Sequence, residues 1–174
     1  MFDKEYSFRG IHADRVNKLT SEFENDNKLF ARNFDVYRLA PIIGFLYGRK
    51  AELDKSSDSA TKIFAEILIR EQTDLIFNYR LIMLLDEKNE PNLDERINKA
   101  FRYYSSEKAK DDELLFEQYV RGGVDVLYEK LIESANNSDD YINNLIDFLE
   151  DFEFRYNKSI SIDTIINLCH LARK

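Results

Sequence analysis

Apolar residues recur at helical spacing over most of the chain. Val36, Leu39, Ala40, Ile43 and Tyr47 fall at i, i+3, i+4, i+7 and i+11, which is one buried face of a helix opening at Asn33. Asn33 is the predicted N-cap, and Asp35 in the first turn opposes the positive end of the macrodipole. Pro41 lies inside this pattern without an N–H for the Tyr37 carbonyl, so a kink or two short helices are expected there. Gly48 suits the left-handed position that closes such a helix, and it leaves Arg49 and Lys50 beside the negative helix end.

The same period locates the other elements. Residues 1–10 read as an irregular arm, Ile11 to Phe23 as a helix, and residues 54–60 as a flexible connection of small polar residues. Ile63 to Ile69 fits a buried helix or a buried strand by period, and its helical surroundings favour helix. Thr73 to Glu87 is apolar around most of its circumference, which predicts a central, buried helix. After Glu90-Pro91-Asn92 comes a stripe of Leu93, Ile97, Ala100, Phe101 and Tyr104. A long helix follows from Asp111 to about Ser134, in which Gly122 and Gly123 each cost about 1 kcal/mol relative to alanine. Close approach of another helix, or a bend, would offset that cost. Ser138 is the predicted cap of a helix carrying Tyr141, Ile142, Leu145, Phe148, Leu149 and Phe152, and Ile162, Ile165, Ile166 and Cys169 define a last one. The expected architecture is all-α, a single compact bundle of about seven helices forming one domain over residues 1–174. Its core is predicted to include Val36, Leu39, Ile43, Ile76, Ile82, Leu84, Ile97, Phe101, Phe116, Leu127, Leu145, Phe148, Ile165 and Cys169.

Composition sharpens this picture. Two prolines and five glycines in 174 residues are too few to punctuate a many-stranded β fold. The single cysteine rules out an intrachain disulfide, the N-terminal residues do not read as a secretory signal, and no window is apolar enough to span a bilayer. These features lead us to expect a cytoplasmic protein. The net charge of −8 disfavours broad attraction to nucleic acid. That charge is uneven: residues 1–60 hold ten Lys/Arg and ten Asp/Glu, residues 105–156 five and fourteen. The acidic part reads as solvated helix surface.

Recognisable catalytic chemistry is sparse. His12 and His170 are the only histidines, and with one cysteine they cannot make a His/Cys zinc set. Asp111-Asp112 and Asp139-Asp140 are neighbours that diverge on a helix and suit helix starts. Phosphate-cradling glycine loops and a nucleophile elbow are missing. Cys169 and His170 diverge by about 100° on a helix and make no nucleophilic pair. No catalytic residue, metal or cofactor is assigned, and the chain is expected not to be an enzyme. The candidate binding residues are Arg38, Arg49 and Lys50 for phosphate, and Tyr103 and Tyr104 for stacking, although helix-end complementarity and a tyrosine-lined core rim account for all five.

Asp35 to Ala40, Ile43-Gly44-Phe45 and Gly48-Arg49-Lys50, followed by Glu117 to Val124 and Leu127, resemble small Dnd system-associated proteins over roughly residues 10–135. Pro41 departs from the alanine-rich stretch of that pattern. The resemblance implies a bacterial protein linked to DNA phosphorothioation and anti-phage defence, an accessory subunit with protein partners in a larger complex. The alternative is a small helical DNA-binding protein or regulator, in which Lys18, Arg32, Arg38, Arg49 and Lys50 would share one exposed face. Direct DNA binding is the less favoured of the two, and homo-oligomerisation is an open option.

Overall fold

The computed structural model describes residues 1–23 and 27–156. The helix expected around Ile162, Ile165, Ile166 and Cys169, with its two core positions, lies outside the described residues. The described chain is all-α in class: α1 (Ile11–Leu19), α2 (Asn33–Leu46), α3 (Ala65–Arg70), α4 (Gln72–Leu85), α5 (Leu93–Ile97), α6 (Lys110–Leu131) and α7 (Ser138–Tyr156), with a π-helical turn over Asn98–Arg102 and a 3-10 turn over Glu107–Ala109. Two antiparallel two-stranded ribbons complete it. One pairs β1 (Tyr6–Arg9) with β4 (Ala60–Ile63) in the register Tyr6 to Ile63 and Arg9 to Ala60; the other pairs β2 (Glu22–Phe23) with β3 (Asn27–Lys28).

The arm at residues 1–10 is therefore not irregular. Phe2 and Phe8 are buried in the core, and β1 is held by β4, whose Ile63 is also buried. The 63–69 segment divides at Phe64, so Ile63 ends a strand while Ala65–Arg70 forms α3. Residues 54–60 carry a structural side chain. Asp54 accepts a hydrogen bond from the Ile11 backbone N–H at 2.6 Å, which caps α1 from a distance of 43 residues, and the backbone hydrogen bonds it accepts from Ile11 and Ser56 hold its carboxyl below the usual range. Asn33 is the first residue of α2 rather than its cap, and its amide donates instead to the Lys62 carbonyl. At α7 the capping is done by Asn137, which accepts from the Asp140 N–H at 3.1 Å, rather than by Ser138.

The central element is α6, not α4. It buries Phe116, Val120, Val124, Leu127 and Leu131 against α1, α2 and α7. Its tightest partner is α2, and glycine explains why. A Cβ on Gly123 would overlap the Ala40 carbonyl and stand 2.9 Å from the Ala40 Cα; one on Gly122 would overlap the Arg49 carbonyl; one on Gly44 would overlap the Tyr119 carbonyl. Gly44 and Gly123 thus let two helices approach closer than side chains permit, and Gly122 admits the backbone of Arg49 just beyond the end of α2. α2 continues through Pro41 as one helix and ends in a Schellman closure: Gly48 takes φ +61°, its N–H donates to the Phe45 carbonyl at 3.0 Å, and the Arg49 N–H donates to the Gly44 carbonyl at 2.8 Å.

Most predicted core residues are enclosed, with two exceptions among those described. Leu39 is 37% exposed and Phe101 is 53% exposed. Phe101 is displaced by the π turn, in which the Tyr103 N–H reaches back five residues to the Asn98 carbonyl at 2.8 Å. The extra residue in that turn breaks the 3.6 period, so Ala100 faces the core and Phe101 faces outward.

Candidate functional site

Helix α4 buries Leu75, Tyr79, Ile82 and Met83 on one side. Its sequence is apolar over more of the circumference than that side can use, and the surplus is exposed: Phe77 is 65% and Leu85 51% accessible. Phe77 and the outward Phe101, with Thr73, Ile76, Leu81 and Leu84, line a groove of about 500 Å³ between α4 and the π turn. On the other flank of α4, Phe77 also borders a second groove of about 420 Å³ with Phe30, Leu39 and Ile42. Leu39 is thus exposed because it belongs to this surface. The two grooves meet at Phe77 in a band across α4 whose apolar residues are edged by Asp35, Arg38, Asp74 and Asn78 on the second side, and exposed apolar surface of this kind marks a contact site on a protein.

Two described cations border the band, Arg38 in the second groove and Arg80 in the first. The Arg80 guanidinium lies over the Phe101 ring at 5.4 Å and the Tyr104 ring at 5.9 Å, its Nε has no hydrogen-bond partner, and no described carboxylate lies within 4.0 Å of it. Tyr104 in turn packs on the buried Tyr79 at 5.4 Å between ring centroids. The stacked rings hold Arg80 in place at the rim of the groove.

The residues expected to bind from sequence are dispersed. Arg38 lies 3.8 Å from Asp74 and over the Phe34 ring, at the edge of the second groove. Arg49 is engaged by Glu129 at 2.8 Å, and Lys50 sits over the Tyr119 ring at 5.6 Å. Arg32 pairs with Asp35 at 2.8 Å, and Lys18 donates to the Tyr128 hydroxyl at 3.3 Å on α1. Arg38 is separated from the end of α2 at Leu46, and so from Arg49 and Lys50 beyond it, by roughly 12 Å of helix axis. Tyr103 is covered by Lys108 at 4.8 Å. Tyr104 touches the α4 groove through Arg80, which lies over its ring. Pro41, Gly48, Gly122 and Gly123 all lie at the α2–α6 contact or at its end.

Two further polar clusters are internal. Glu117 is mostly enclosed between β1, α2 and α6; burial pushes its carboxyl up to about 7, against hydrogen bonds from Tyr6 and Tyr37 and the Arg121 charge, which lower it. Asp125 behaves oppositely. Burial raises it, but hydrogen bonds and charge from His12 at 3.2 Å and from Arg15 outweigh that and leave it below the usual range. Glu117 also borders a surface opening of about 500 Å³ lined by Met1, Asp3, Lys4, Lys110, Glu113 and Leu114. Among the described residues no group of three or more His, Cys, Asp or Glu side chains is placed to hold a metal, and no helix is long and apolar enough to cross a membrane.

Sequence reasoning missed Phe77 and Arg80 and assigned Phe101 to the core. The signal available was the apolar excess of α4: an amphipathic helix needs one face, and this one carries apolar residues well beyond it.

Comparison with known proteins adds a family. The model of the family described as DNA sulphur modification system-associated protein 4 matches residues 11–164. No curated protein and no solved structure matches.

Proposed function

Because the chain belongs to this family associated with DNA sulphur modification, we propose that it is a non-enzymatic accessory subunit that works by assembling with other proteins of that system. The observation that carries this reading is the apolar band on α4. A large exposed ring on each side of the groove, Phe77 and Phe101, is costly to leave in water and suits burial against a protein partner. The scattered cations weigh against the alternative of a DNA-binding regulator. Duplex binding draws its strength from several lysines and arginines neutralising phosphates along one face. Here Arg32 and Arg38 share the Phe34 ring while Arg49 lies beyond the end of α2, and each of the three stands beside a carboxylate of its own chain.

The test is affinity purification of the tagged chain from a host that carries the modification system, with and without nuclease. Proteins of the system should remain bound after nuclease treatment. Recovery of DNA alone, lost on nuclease treatment, would instead support the regulator.

A further inference from the structure

We infer that the groove between α4 and the π turn receives a single amphipathic helix of a partner protein, whose apolar side covers Phe77 and Phe101 and whose flanking carboxylate pairs with Arg80. This rests on the protein-assembly reading above and adds the chemistry of what is bound.

The shape of the groove points to a helix. Thr73, Phe77, Leu81 and Leu84 follow one another along α4 at steps of four, four and three residues, which is a ridge that the groove of a second helix accepts. Those eleven residues of rise correspond to roughly 16 Å, or three turns of a helix lying alongside. The free edge of a strand would bring unpaired backbone groups, and neither α4 nor the π turn offers a sheet edge to satisfy them.

Charge decides what flanks the apolar side. Acids outnumber bases by 33 to 25 in this chain, yet Arg80 has no described carboxylate within 4.0 Å and is held against two rings at the groove rim. Covering the groove with an uncharged surface would strip water from this guanidinium without compensation. A carboxylate on the incoming helix removes that penalty, and Arg presents a planar fork that suits it.

The experiment places a photo-crosslinking phenylalanine analogue at position 77, at position 101 and, as a control on an exposed site of α7, at position 154. The full chain is expressed in the host carrying the modification system, irradiated, treated with nuclease, and the cross-linked peptides are sequenced. The expected peptide comes from a different protein and shows apolar residues at helical spacing beside an Asp or Glu. Arg80→Glu should reduce its yield about tenfold, and reversing the partner's carboxylate to Lys should restore it. Phe77→Ser, at an exposed position that leaves the core intact, should weaken capture of the same partner. Cross-links to a second copy of this chain, to nucleic acid, to a peptide lacking the carboxylate, or no yield above the position 154 control would overturn the inference. If system proteins are still captured by the tagged chain in those cases, only this inference falls; if none is captured, the accessory-subunit reading fails with it.

Discussion

Gly44 and Gly123 meet backbone to backbone where α2 crosses α6: a Cβ on Gly44 would stand 2.9 Å from the Gly123 nitrogen. The helices can reach this separation only because neither residue has a side chain. Gly123 sits in the middle of a 22-residue helix and takes a propensity penalty of about 1 kcal/mol for it. The stability of the pair of helices more than offsets that.

Gly123→Ala should therefore destabilise the protein by about 2 kcal/mol net, since the propensity gain is outweighed by overlap with the Ala40 backbone, which cannot rotate away. Urea unfolding followed by circular dichroism measures it. A variant as stable as the parent, or more so, would show that the crossing is loose.

Glu117 should give stability a distinctive pH dependence. Its folded carboxyl titrates at about 7 against 4.5 for the ordinary group, so between these values the native state holds more protons than the unfolded chain. Stability from this residue is full below about pH 4.5 and declines as pH rises to 7, by an amount on the order of 3 kcal/mol. Asp54 and Asp125, held low, contribute the opposite way: their stabilisation is lost as pH falls. The difference between the parent and Glu117→Gln isolates the effect. The variant should gain relative stability from pH 5 to pH 8, and parallel curves for the two proteins over that range would contradict the assignment.

Much of the fold was legible because helical periodicity survives where one face of a helix is buried. Val36, Ile43, Phe116 and Leu127 were identified in this way and are in the core. What periodicity could not show was long-range pairing. Tyr6–Arg9 becomes a strand only because Ala60–Ile63, more than fifty residues later, lies beside it, and Asp54 becomes a helix cap only through the same juxtaposition. The π turn was equally hidden, since it changes the period itself, and with it the side on which Phe101 emerges. The apolar excess of α4 is visible in the sequence and suggests deep burial; α6, with Gly123 admitting α2 and Gly122 the segment just after it, takes the central place instead.

The cations on α2 and just beyond it test the DNA alternative. Arg38, Arg49 and Lys50 are each engaged within the chain, by Asp74, Glu129 and the Tyr119 ring. Replacing all three by alanine should cost less than about 1 kcal/mol per residue, in line with exposed ion pairs. Duplex DNA should bind the parent and the variant with the same weak affinity in a salt titration. A parent whose affinity falls steeply with salt, with a logarithmic slope that flattens by about three contacts in the variant, would promote these residues to phosphate ligands.

The role of the α4 surface is decided by quantitative mass spectrometry of nuclease-treated purifications from the host carrying the modification system, using the tagged parent chain and a Phe77→Glu variant with the same circular dichroism spectrum and melting temperature. The predicted result is that proteins of the DNA sulphur modification system co-purify with the parent and drop about tenfold or more with the variant, since a charge placed in the α4 band must be desolvated on binding. Equal recovery with both chains, or recovery of no protein of the system with either, would contradict it.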